Sequence, residues 1–314
     1  MRRILALIAA ILACGMVVGC TAPAEKPQTD AAEEITVIDD LGRSVTVRAP
    51  KRTAVLIGSF ADVWCLAVGK ESLVAAADDT WTQFTLDLPE DVVHLGGVKT
   101  PNLEKLLAAE PDLVIGSTKT AADLELQDTL EQMGIPVLYF NVSTFADYLR
   151  MLQICTQLTG HPECYETYGT DIQAQVDAAT ARVTGKQSSV LYVRASGSSC
   201  KVKNSQDSVL GEMLADLGCR NIADSEKSLL ESLSMETILA QDPDYIFVVL
   251  QGSDTAKAQS SLQQALLDNP AWESLTAVRE GRFHIMDQKL YNLKPNARWG
   301  EAYENLADIL YPEK

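Results

Sequence analysis

The chain has 314 residues, with 26 basic and 43 acidic side chains and a formal charge of −17. So acidic a surface makes nucleic acid and anionic lipid poor partners. The length is more than one small core organises and suits two.

The first residues read as an export segment. Arg2 and Arg3 precede an apolar run from Ile4 to Val18. As a helix that run would reach about 22 Å, short of the ~30 Å hydrocarbon core. It ends in Val17-Val18-Gly19-Cys20, which resembles a bacterial lipobox. Residues 1–19 are then a lipoprotein signal peptide, and Cys20 is the lipidated new N-terminus. Residues 20–34 are rich in Ala, Pro, Glu and Thr and read as a flexible tether. A lipid on Cys20 with such a tether anchors the protein to the outer face of the bacterial cytoplasmic membrane. Loss of Arg2 and Arg3 leaves 24 basic and 43 acidic side chains, a charge of −19. Cys65, Cys155, Cys164, Cys200 and Cys219 contain no C-x-x-C and are odd in number, so no disulfide framework is implied.

Ile35 to Val47 predicts a hairpin around Asp40-Leu41-Gly42. Thr53 to Ile57 is a buried strand closed by Gly58-Ser59, and Phe60 to Gly69 is helical. Strands follow at Leu73–Ala77, Val92–Val93, Leu113–Gly116 and Pro136–Phe140, with a helix over Ala122–Gly134. From Phe145 to Val183 the apolar residues keep helical spacing, with a break expected near Gly160-His161-Pro162. Beyond Gly185 the alternation returns: strands at Ser189–Val193, Tyr245–Leu250 and Arg282–Met286, helices at Val209–Gly218, Ser260–Leu267 and Ala297–Leu310. Alternating strands and helices predict α/β architecture with mostly parallel sheets.

One phrase occurs twice. Asn102-Leu-Glu-Lys-Leu-Leu-Ala-Ala-Glu-Pro-Asp-Leu-Val-Ile115 is echoed by Ser234-Met-Glu-Thr-Ile-Leu-Ala-Gln-Asp-Pro-Asp-Tyr-Ile-Phe247. Each copy reads as a short helix, a Pro-Asp turn and a buried strand, so the chain predicts two lobes on one plan with a ligand cleft between them. Catalytic signatures are missing: no G-x-S-x-G, H-E-x-x-H, P-loop or G-x-G-x-x-G after a strand. The chain is read as a non-enzyme. The three histidines, His94, His161 and His284, are scattered, so no resident metal site is expected.

Four segments carry a resemblance to a known family: the lipobox at Cys20, Val98 to Ile115 with its Pro-Asn-Leu-Glu and Pro-Asp-Leu-Val, Leu130 to Val137, and the ending Gly281-Arg-Phe with Pro295-Asn-Ala-Arg-Trp-Gly-Glu301. These are similar to the substrate-binding lipoproteins of ATP-binding-cassette importers for iron-siderophore, haem and cobalamin. The resemblance runs from about Ile35 to Leu310. It implies two Rossmann-like lobes, residues 35–144 and 185–314, joined by one long helix over 145–184 and capable of small closing motions. It implies a monomer that captures a metal chelate (ferric siderophore, haem or corrinoid) and delivers it to a permease dimer driven by a cytoplasmic ATPase. A cobalamin or corrinoid protein of the same class, or a surface haem or corrinoid relay without its own permease, is the alternative.

Ligands of open α/β sheets bind beyond the carboxyl ends of the strands. That rule, with the resemblance, nominates Ser59, Phe60, Trp81, Lys99, Thr100, Lys119, Arg194, Lys201, Lys203, Tyr291, Asn292 and Arg298. Tyr291 is nominated because family members place an aromatic in the last strand-to-helix loop. Trp64 and Trp299 lie in helical stretches and are expected in the core. Basic residues gathered at strand ends of a very acidic protein point to an anionic ligand, since like charges in a cleft focus their field. The family docks on its permease through one surface carboxylate per lobe. Asp123 or Glu125 would serve in the first lobe and Asp254 in the second, where no glutamate occupies the matching stretch.

Overall fold

A computed structural model describes residues 34–312 apart from Thr85, Lys186, Asp207 and Ser253. The signal peptide and Cys20 lie outside the described residues. The chain opens with an antiparallel hairpin, β1 (Glu34–Ile38) and β2 (Ser44–Arg48), as its alternating pattern predicts.

The first lobe is built on a fully parallel sheet. Its strands are β3 (Thr53–Val55), β4 (Leu73–Ala76), β5 (Val93–His94), β6 (Leu113–Ser117) and β7 (Val137–Phe140), in the order β5-β4-β3-β6-β7. The second sheet holds β8 (Ser189–Ser196), β10 (Arg220–Asn221), β11 (Tyr245–Leu250) and β12 (Phe283–Met286) in the order β10-β8-β11-β12. Those four are parallel, while β9 (Ser199–Lys203) folds back antiparallel onto β8. The sequence reading predicts no strand over 199–203. Its strand signal is the alternation of buried Val202 with the outward Lys201 and Lys203.

The repeated phrase sets the same joint in each lobe. Asn102 and Ser234 cap the helices Leu103–Ala108 and Met235–Gln241, accepting from the N–H of Lys105 and Thr237. Each helix ends at a residue with positive φ, Glu110 at 46° and Asp242 at 37°. The aspartates of the two Pro-Asp turns then clasp the start of the central strand. Asp112 accepts from the N–H groups of Lys51 and Arg52, and Asp244 from the N–H and hydroxyl of Ser189.

The connector is helical but not one straight rod. Helix Phe145–Thr159 starts in a capping box between Thr144 and Asp147 and stops at Gly160, whose φ of 75° suits glycine. After Pro162 the chain resumes in a short turn, passes through a π-helical stretch, Glu166–Thr170, and continues as helix Asp171–Thr180. The C-terminal helix, Trp299–Leu310, lies across this second segment so closely that a Cβ on Gly300 would overlap the Gln175 side chain. Trp299 packs against Phe145 and Tyr148, with ring centroids 5.7 and 6.4 Å away. One apolar core therefore runs unbroken from Val55 and Phe140 of the first lobe through Tyr148 and Leu152 of the connector to Tyr192 and Phe247 of the second. Two smaller cores line the sheet faces turned away from it.

Candidate functional site

The strand ends of the second sheet line a cleft of about 500 Å3 that Lys99, in the loop after β5, closes from the first lobe. One wall is the β8–β9 ladder. In its register Arg194 stands opposite Lys201 and Tyr192 opposite Lys203, so all four share one face. The opposite face carries Val193 and Val202 into the core. Lys99 enters the cleft from the first lobe, and Ser196, Gly197, Ser199, Gln251 and Gly252 complete the second-lobe lining. Like charges directly opposite on a ladder cost stability. Arg194 is held by a neutral partner, since its guanidinium donates to the Tyr192 hydroxyl at 3.3 and 3.1 Å. The wall thus presents three cations on one face, which is the form of an anion receptor.

Four nominated cations, Lys99, Arg194, Lys201 and Lys203, are brought together here. Lys119 is exposed at the loop after β6, and Thr100 is exposed in the turn it closes onto the Gly97 carbonyl. Trp81 is half-buried at the end of β4, stacked on His94 with centroids 3.7 Å apart and planes 18° from parallel. His94 also faces Asp78 at 3.2 Å. This aromatic pair stands at the carboxyl ends of β4 and β5. The sequence reading weighed His94 only as a metal ligand, although the strand-end rule places it beside Trp81.

A second inter-lobe cavity of about 230 Å3 is lined by Asp62, Gln83, Phe84 and Leu86 from the first lobe and Lys289, Lys294, Pro295 and Arg298 from the second. Arg298 is exposed and committed to Glu301 at 2.6 and 2.7 Å.

Other nominated residues point elsewhere. Phe60 is 1 % exposed and packs edge-on against Phe140 within the core. Ser59 is buried, and its carbonyl accepts from the Asn296 side chain at 2.8 Å. Tyr291 is 2 % exposed and donates its hydroxyl to the Ala302 carbonyl, so it holds the C-terminal helix rather than a ligand. Asn292 is half-buried and lines neither inter-lobe cavity. Trp64 and Trp299 are core residues, as their helical setting predicts.

Among the docking candidates, Asp123 must be corrected. Its side chain is fully buried, with one carboxylate oxygen accepting from the Ser117 N–H at 2.8 Å and the other without a partner. Burial, opposed by that hydrogen bond, pushes it up to about 7. A carboxylate so enclosed cannot meet a partner protein. Glu125 on the same helix is exposed. Asp254 caps helix Thr255–Leu262, pairs with Lys257 at 3.1 Å and lines the cleft.

Among the described residues no group of three or more His, Cys, Asp or Glu side chains is placed to hold a metal ion. No helix among them is long and apolar enough to cross a membrane. The five cysteines are free thiols, and Cys155 and Cys219 are buried.

Two α/β lobes on a helical connector, with a polar cleft between them, define the architecture of a two-lobed solute-binding protein. Residues 54–290 match the profile of the periplasmic binding protein family, and the chain belongs to it. Its members are substrate-binding proteins of transport, not enzymes. The chain is similar to the ABC transporter substrate-binding lipoprotein YvrC of Bacillus subtilis, 23 % identical over 97 % of this chain and 96 % of that one. It is likewise similar to the iron-uptake system-binding protein of the same organism, 24 % identical over 96 % and 92 %. Its fold matches the periplasmic heme-binding protein RhuT of Roseiflexus, with a TM-score of 0.67 at 20 % identity, covering 83 % of this chain and 98 % of that one.

Proposed function

We propose that this protein captures an anionic iron complex, a ferric siderophore or haem, outside the cytoplasmic membrane and hands it to an ABC permease. The observation that carries the reading is the cationic wall, Arg194, Lys201 and Lys203 on one face of β8–β9, with Lys99 across the cleft. In a chain of charge −17 such a grouping opposes the average field of the molecule. The similar iron-uptake and heme-binding proteins support the class of cargo. In this reading residues 35–144 and 185–314 are the lobes, and 145–184 joins them. Cys20 carries the lipid anchor, in keeping with the lipoprotein name of a full-length relative. Lys119 and Thr100 border the cleft, Trp81 offers its ring at the rim, and Glu125 is the first-lobe docking carboxylate.

The test is equilibrium binding, followed by tryptophan quenching, of a ferric catecholate, ferric citrate, haem, a neutral ferric hydroxamate and cobalamin. At least one anionic complex should bind tenfold or more tighter than both neutral ones. In Arg194→Gln/Lys201→Gln that preference should fall by about one to two orders of magnitude, the scale of lost charge-assisted contacts. Tight binding of cobalamin or the neutral hydroxamate alone refutes the anionic reading.

A further inference from the structure

Tyr192 joins the apolar core to the cleft. On one face of the second sheet Tyr192 of β8 stands beside Phe247 of β11, and Arg194 stands beside Val249. The Tyr192 ring is 0 % exposed and packs in the core with Phe247 and Val249, so the core sets its position. Two residues further along the strand the same face leaves the core, and Arg194 is half-buried there and lines the cleft. Nε and Nη2 of Arg194 donate to the Tyr192 hydroxyl at 3.3 and 3.1 Å, and the guanidinium carbon stands 5.9 Å from the ring centroid. This contact uses two of the five N–H donors of the planar fork.

Arg194 needs such a hold. Strand β9 places Lys201 directly opposite it, and cross-strand partners have Cβ atoms about 5 Å apart. Two like charges so close repel, and an unrestrained arginine would swing away from Lys201 toward solvent. A carboxylate partner would restrain it but would cancel its charge. Tyr192 acts differently. Burial pushes its hydroxyl up, against the pull of Arg194, so it keeps its proton and stays neutral. Arg194 is therefore held beside Lys201 with its charge intact.

We infer that Tyr192 is a positioning residue of the ligand site: its buried hydroxyl holds the Arg194 guanidinium in the cleft next to Lys201, where an anionic ligand meets both cations. The inference rests on the proposed capture of an anionic complex and adds to it the core residue that orders the receptor in advance. A side chain held before the ligand arrives need not be ordered by binding, so affinity rises. Tyr192 touches the core and Arg194, and its contribution to binding is expressed only through Arg194.

The test is a double-mutant cycle on Tyr192→Phe and Arg194→Gln, with affinities for ferric citrate, a ferric catecholate and haem measured by calorimetry. Phenylalanine keeps the ring in the core and removes only the hydroxyl. In the wild-type background Tyr192→Phe should weaken binding of the tightest of these complexes about three- to tenfold, the scale of one hydrogen bond. In the Arg194→Gln background the same change should alter affinity by less than about twofold, because nothing is left for the hydroxyl to hold. A purely structural role would give the same loss in both backgrounds. Equal losses therefore overturn the inference, as does an affinity that Tyr192→Phe leaves unchanged, and either result leaves the proposed function standing. Failure of every anionic complex to bind the wild-type protein overturns both.

Discussion

Replacing Asp123 with asparagine should make the protein more stable at pH 8 than the wild type, by an amount that shrinks as pH falls. Asp123 is fully buried beneath the cleft face of the first lobe, and the nearby Asp79 adds repulsion. Its folded value of about 7 compares with an ordinary 3.8. A carboxyl raised in this way keeps its proton in the native state at pH values where the unfolded chain has released it. Native stability is therefore greatest below the unfolded value and declines between about pH 4 and pH 7. The full effect is about 4 kcal/mol, and about 3 kcal/mol of it falls between pH 5 and pH 8. Asparagine retains an oxygen for the Ser117 N–H but cannot ionise. Urea denaturation of both proteins at pH 5, 6, 7 and 8 gives the variant-minus-wild-type difference, in which the other titrating groups largely cancel. That difference should rise by about 3 kcal/mol across the range. A difference that stays constant refutes the assignment of Asp123 as a buried, proton-holding carboxyl.

Glu125→Lys should abolish uptake in cells while leaving ligand affinity unchanged, and the same cells carrying Asp123→Asn should import normally. Normal uptake by Glu125→Lys removes it from the docking surface. Gly58→Ala should destabilise the first lobe by about 1–3 kcal/mol, read as a lower Tm. A Cβ there would lie 2.7 Å from the Thr80 backbone nitrogen and 2.9 Å from the Asp79 carbonyl carbon, and backbone cannot step aside as a side chain can. An unchanged Tm contradicts that geometry.

The sequence by itself determined the plan of the molecule. Alternating strand and helix patterns, two copies of one phrase and a stretch with only helical spacing were enough for two parallel-sheet lobes on a helical connector. Local physics explains why. Asn102 and Ser234 cap their own helices by bonding three residues ahead, so these signals act locally, whereas Asp112 and Asp244 bond to Arg52 and Ser189, far back in the chain. The cationic wall was half legible. Lys201 and Lys203 alternate with Val202, but only the pairing with β8 places Arg194 on the same face. What the tertiary structure alone decided is which side chain of each strand-end loop turns toward the cleft. Phe60 and Tyr291 occupy the loops the rule selects, yet the first packs on Phe140 and the second bonds to the C-terminal helix. Asp123 and Glu125 are two residues apart on one short helix, one enclosed and the other in solvent. A strand pattern fixes where a loop lies, because backbone hydrogen bonding sets it. The direction of a side chain within the loop depends on what the rest of the fold has already filled.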